Sequence, residues 1–215
     1  EAQCACIGNV GFLGIPMLAL LMGKEAVLWV MLILAMDLLL FGSLIVVLIV
    51  GSRDGRMSLG VLNAVGLGLI KNPMIMAMVV GLIWSSTDKA FPVPFAEFFD
   101  ILGAAATPGA LFVIGASLAA NSVGRFRVAG WLAFCKLILH PAAVAATSLF
   151  IFPVAAYPAA VMIASAALPV AGNIFILATH YGVAPMRVSA SIFLSTVTSV
   201  ITISVVIALV TGLYS

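Results

Sequence analysis

An apolar stretch that has to lie in lipid, yet carries helix-breaking residues at its centre, constrains this chain more than any other feature. Leu168 to Tyr181 reads Leu-Pro-Val-Ala-Gly-Asn-Ile-Phe-Ile-Leu-Ala-Thr-His-Tyr. Pro169 lacks a backbone donor and clashes with the preceding turn, Gly172 permits geometries other residues avoid, and Asn173 puts an amide into an apolar run. Backbone groups freed by such a break find no water in hydrocarbon, so they need partners inside the protein or a water-filled cavity. A second stretch, Gly8-Asn9-Val10-Gly11-Phe12-Leu13-Gly14-Ile15-Pro16, holds the same ingredients in another order. Each is followed by a short polar loop and one long apolar segment. Paired interrupted segments in two halves of a chain point to the binding site of a secondary transporter.

Composition makes the surroundings lipid. Of 215 residues 65% are apolar and 7% charged, more apolar surface than one soluble core can hide. The expected fold class is therefore an all-α polytopic membrane protein, with lipid as its main partner. The net charge of +2 is spread over connecting segments and forms no basic stripe, so nucleic acid is not an expected partner. Cys4, Cys6 and Cys135 lack metal-ligand spacing and read as small packing residues; neither a metal nor a cofactor is expected. The chain opens on Glu1 and enters an apolar segment at once, without the features of a signal peptide, which predicts a fragment missing upstream helices.

A crossing needs about 20 apolar residues, fewer where helices are short or broken. On that basis the spans fall at Cys4 to Met22, with its break between Asn9 and Pro16; Glu25 to Val50, with Asp37 near its middle; and Pro73 to Trp84, opened by Lys71-Asn72-Pro73. Phe95 to Ala120 follows, with a kink expected at Thr107-Pro108-Gly109, then Val128 to Phe152, carrying Lys136, His140 and Pro141. Tyr157 to Tyr181 is the second broken span. Pro185 to Leu213 closes the set with a polar side that includes Ser189, Ser191, Ser195 and Ser199. Gly51 to Arg56 reads as a loop and Met57 to Ile70 as an amphipathic lead-in.

Arg53, Arg56, Lys71, Arg125, Arg127 and Arg187 fall on one side under strict alternation, and only Lys24 and Lys89 on the other. Short cytoplasmic loops collect Lys and Arg, so the arginine side is cytoplasmic and Ser215 lies outside. The two broken spans then cross in opposite directions, which is inverted topology. Five spans per half would make the last five here a complete second repeat and the first two the end of a first repeat.

The ordered motifs resemble the auxin efflux carrier family, which includes bacterial carriers of malonate and other organic acids. They are Asn9 with Gly14-Ile15-Pro16, Lys71-Asn72-Pro73, Ala106-Thr107-Pro108 with Leu111 and Gly115-Ala116-Ser117-Leu118, Lys136 with His140-Pro141, and Leu168-Pro169 with Asn173, Phe175, Ala178 and Tyr181. The resemblance covers almost the whole chain. It implies a ten-helix inverted-repeat (5+5) transporter fold with two crossing broken helices, of which about seven helices are present. It further implies that residues 1–51 end the first repeat and, with residues 122–215, belong to a transport domain. Residues 71–121 would be scaffold helices, which dimerise in the family, and 52–70 a cytoplasmic loop and lead-in. Thr179-His180 stands where plant members carry a charged pair, and a second proline near Asn173 is missing. These departures point away from auxin, and the short loop after Val50 implies a bacterial inner (plasma) membrane.

The residue types fit an anion site. Asn9 and Asn173 can donate to a carboxylate, and half-helix N-termini add unpaired N–H groups and partial positive charge, so Asn9, Gly11, Pro16, Pro169, Gly172 and Asn173 are the candidate substrate-binding residues. The alternative is that each Asn satisfies its own helix break. Asp37, Lys136 and His140 are candidates for proton coupling, since intramembrane charge is costly unless paired or protonated. Against that stands a static ion pair, or Lys136 snorkelling to the interface. The expected function is a secondary active transporter, a permease moving a small organic anion by alternating access. An anion channel or uniporter is the alternative. An intramembrane enzyme is disfavoured because neither Gly-x-Ser-x-Gly nor His-Glu-x-x-His occurs.

Overall fold

The computed structural model describes residues 1–54, 63, 66, 67, 70, 71, 73–87, 89–120 and 126–213. Helices form where the apolar runs predict them. The first broken span consists of α1 (Ala2–Cys6), an unwound segment, a π-helical turn (Val10–Gly14) and α2 (Ile15–Met22). Next come α3 (Ala26–Met36), a π-helical turn (Asp37–Phe41) and α4 (Gly42–Asp54) in one continuous run, then α5 (Pro73–Ser85) and α6 (Val93–Ala120), with Pro108 inside the last. The following run is α7 (Phe126–Phe134), a π-helical turn (Cys135–Leu139), α8 (His140–Ala146) and another π-helical turn (Thr147–Ile151). The second broken span is α9 (Ala156–Ala166), an unwound segment and α10 (Asn173–His180); α11 (Pro185–Thr211) ends the described chain.

Ala26–Ile49, Phe126–Ile151 and Pro185–Thr211 are long and apolar enough to cross a membrane, and Val10–Met22 and Ala156–Ala166 are shorter apolar helices. Leu20 and Phe150 are 84% and 85% exposed, which suits side chains whose solvent is lipid and would be costly in water. The chain is an integral membrane protein.

Two compact units are distinguished, residues 1–34 with 106–215, and residues 35–105. Within the first, α11 lies along α7 and also meets α9 and α10, while α9 packs on α8 and α2. Cys4, Ile7, Leu132, Val170, Ala171, Ile174, Val188 and Ile192 form a buried cluster around the two unwound segments. Cys4 thus packs as a small apolar residue. Tyr157 Oη donates to Met22 O (2.9 Å), tying the start of α9 to the last turn of α2. Within the second unit, Trp84, Phe91, Phe99 and Phe98 form a chain of ring contacts with centroids 5.1 to 5.9 Å apart. There Ser86 and Thr87 close α5 by donating to Ile83 O and Trp84 O, both at 2.7 Å.

Two expectations are corrected, and one alternative falls away. The first break is not the whole of Asn9 to Pro16: the chain unwinds only at Ile7 to Asn9, and Gly11, Gly14 and Pro16 are helical. Pro16 is tolerated because it stands in the first turn of α2, behind a π-helical turn, where a missing N–H leaves no gap in the α-helical bonding. Gly51 to Asp54 is helical rather than loop: α4 runs on by one turn past the end of its apolar run at Val50. Lys136 does not snorkel; it is completely buried. Residues 55 and 56, most of the 57–70 lead-in, Asn72 and Arg125 lie outside the described residues.

Candidate functional site

The two unwound segments meet. Gly8 and Val170 form an antiparallel bridge, the one β pairing among the described residues. Around it Asn9 N–H donates to Pro169 O (2.8 Å) and Ala171 N–H to Ile7 O (3.3 Å). Each break therefore supplies acceptors for donors freed in the other, which is how exposed main chain survives at membrane depth. Val170 N–H, pointing the other way, donates to Ser195 Oγ of α11 (3.1 Å), and Ser195 in turn donates to Ile192 O.

Small residues make this approach possible. A Cβ on Gly14 would lie 2.7 Å from Leu168 Cδ1; one on Gly8 would lie 3.4 Å from Leu168 Cβ and 3.3 Å from Lys136 Nζ. Gly8 and Gly14 thus stand where the two segments approach closely. Asn9 itself has φ −75° and ψ 56°, an inverse γ-turn closed by Val10 N–H to Gly8 O (2.8 Å). Its carbonyl accepts from both Leu13 and Gly14 (3.1 and 2.9 Å), which opens the π-helical turn. The Asn9 side chain is 4% exposed, and its amide does not cap the helix that follows.

Asn173 is the first residue of the half-helix after its break, whereas Asn9 is the last of its unwound segment, and Asn173 is exposed. Because the pairing is antiparallel, Asn9 sits beside Pro169 while Asn173 lies past Ala171, the partner of Ile7. The two amides therefore leave the short ladder at opposite ends. Pro169 is fully buried, Gly172 and Gly11 are half-buried, and Pro16 is exposed.

Lys136 reaches the same crossing from a π-helical turn. Its Nζ donates to Ala166 O, at the C-terminus of α9, and lies 3.1 Å from His140 Nδ1, one turn along its own helix. His140 Nδ1 also lies 3.3 Å from Ala166 O, so it accepts from Nζ in one tautomer of the ring and donates to Ala166 O in the other. Asp37 opens the π-helical turn between α3 and α4 and is half-buried. Among the described residues, three of the four π-helical turns hold or follow a residue singled out from sequence: Asn9, Asp37 and Lys136. Such turns concentrate at functional sites. Sequence reasoning missed the Ala166 carbonyl as part of the crossing. It saw Ser195 only as one of a polar stripe, and the stripe alone gives no sign of which hydroxyl faces the break.

Among the described residues no cluster of metal-ligating side chains occurs. The sequence is 30% identical over 208 residues to a protein of Rhizobium meliloti (strain 1021) named "Putative malonate transporter". The match covers 92% of this chain and 62% of that relative, so the chain spans less than two thirds of the relative's length. The sequence model of the family described as "Membrane transport protein" matches residues 2–207. With crossing broken helices and the ordered motifs of the auxin efflux carriers in place across that range, this chain belongs to the membrane transport protein family.

Proposed function

We propose that this chain forms the crossing-helix part of a secondary transporter that moves a small organic anion, a mono- or dicarboxylate, by alternating access. The observation that carries the reading is the crossing of two unwound segments beside the buried amide of Asn9. The first N–H groups of a helix have no acceptor within it, so Gly11 and Phe12 offer donors next to that amide. Asn173 and Gly172 offer the equivalent set after the second break. Pro16 and Pro169 shape the two half-helices. The name of the Rhizobium meliloti relative supports a dicarboxylate within this class.

An inverted repeat of five plus five helices accounts for two breaks that pair antiparallel. In it residues 1–51 and 122–215 move against scaffold helices in 71–121, with 52–70 as the cytoplasmic link and a homodimer formed through the scaffold. The arginine-bearing loops face the cytoplasm of a bacterium, and the C-terminus faces outward. Asp37, Lys136 and His140 are the groups through which a proton gradient would act.

Thermal-shift screening of the full-length protein with malonate and other small carboxylates tests the site, because a ligand that binds only the folded state raises its melting temperature by mass action. Stabilisation is expected to fall in Asn9→Ala and in Asn173→Ala separately, and to vanish in the double variant. A double variant that kept the full shift would sink the crossing as the anion site. Flux in proteoliposomes is expected to respond to an imposed proton gradient, and indifference to it would remove Asp37 and His140 from coupling.

A further inference from the structure

Lys136 stands where a transporter with broken helices would be expected to hold an inorganic cation. Half-helix C-termini and unwound carbonyls carry partial negative charge, and in such folds they gather at the membrane midplane and coordinate coupling cations. Here the C-terminal end of α9 faces Lys136: Ala166 O accepts from Nζ. Ser165 O and Nζ both lie 3.3 Å from the point where a Cβ on Gly8 would sit, so the ammonium and two successive oxygens of α9 crowd the same small space beside the bridge. His140 Nδ1 lies 3.1 Å from Nζ and 3.3 Å from Ala166 O, at the edge of the same space. A buried spot lined by carbonyl oxygens at a helix C-terminus is what sodium or lithium selects. Here an amine on the chain already fills it.

We propose that the Lys136 ammonium is a tethered substitute for a monovalent cation at the crossing, and that removing it opens a sodium or lithium site bounded by Ala166 O, Ser165 and His140 Nδ1. Lys136 is on this account a positioning residue that holds α9 against the bridge, and the wild-type protein needs no alkali cation. The inference goes beyond the transport reading and is tested apart from it.

Two variants of the full-length protein in detergent carry the test: Lys136→Ala, which removes the amine, and Lys136→Gln, which keeps a hydrogen-bond donor without its charge. Melting is compared in choline, sodium and lithium chloride at fixed ionic strength. The wild type is expected to melt alike in all three. Both variants are expected to melt lower in choline and to recover as sodium or lithium is added, the rise following the logarithm of cation concentration as mass action requires. A wild type stabilised saturably by sodium overturns the inference, as do variants that fold and melt alike in all three salts. Variants that stay unfolded in every salt also count against it, because a refilled site would restore the fold. Failure of the transport reading shows separately, as absence of carboxylate flux by the wild type, and leaves the salt comparison standing.

Discussion

The hydroxyl of Ser195 serves two backbone groups, accepting from Val170 N–H and donating to Ile192 O. Ser195→Ala leaves a buried N–H without that acceptor, which costs about 1–3 kcal/mol. A lower melting temperature is expected, largely restored in Ser195→Thr; an unchanged one would mean that the N–H finds another acceptor. Gly14 faces Leu168, whose side chain is fully buried and has nowhere to retreat. Gly14→Ala is expected to cost about 1–3 kcal/mol by overpacking. Adding Leu168→Ala to that variant should cost less than Leu168→Ala alone, because the clash is then relieved, and equal costs in a double-mutant cycle would show that no clash exists. At this scale the sequence singled out Asn9 and Pro169 correctly as members of the crossing, since their types disturb a helix wherever they stand. It could not single out Ser195, one hydroxyl among many on the same helix.

Among the elements, the broken spans are the ones whose ends need outside help. The last turn of α2 has carbonyls with no acceptor role inside the helix, and Tyr157 Oη, from the start of α9, donates to one of them at Met22. Tyr157→Phe is expected to lower stability by about 0.5–1.5 kcal/mol, measured by denaturation in detergent, without changing which segments are helical by circular dichroism. A larger loss, with reduced helicity, would mean that this contact holds the whole of α2 in place. The second break was legible because Pro169, Gly172 and Asn173 fall close together and the helix has no way round them. The first was misplaced because Gly11, Gly14 and Pro16 carry the same local signal yet sit in a π-helical turn and a first helical turn, where it costs little.

For the molecule as a whole, the arrangement in the membrane is the property most open to a direct check. In right-side-out cells expressing a cysteine-free background, a cysteine replacing Lys24 is expected to react with an impermeant maleimide, and one replacing Arg127 only after the membrane is permeabilised. The reverse pattern would turn the protein over and place the C-terminus in the cytoplasm. Family membership rests on a match through residues 2–207, while the relative extends well beyond the part this chain matches. Transport activity is accordingly sought with the full-length protein.

Hydropathy and helix breakers are local properties, so a helical membrane protein with two interrupted apolar stretches can be read from the residues alone. Which groups satisfy those interruptions is a matter of residues far apart in the chain. The folded chain alone brings Gly8 to Val170, gives Ser195 the N–H left over, and sends Asn9 and Asn173 to opposite ends of the pairing. The fate of Lys136 is of the same kind. A lysine in an apolar run reads identically whether its amine reaches the interface or turns inward. The carbonyl of Ala166, on another helix, holds it at the crossing.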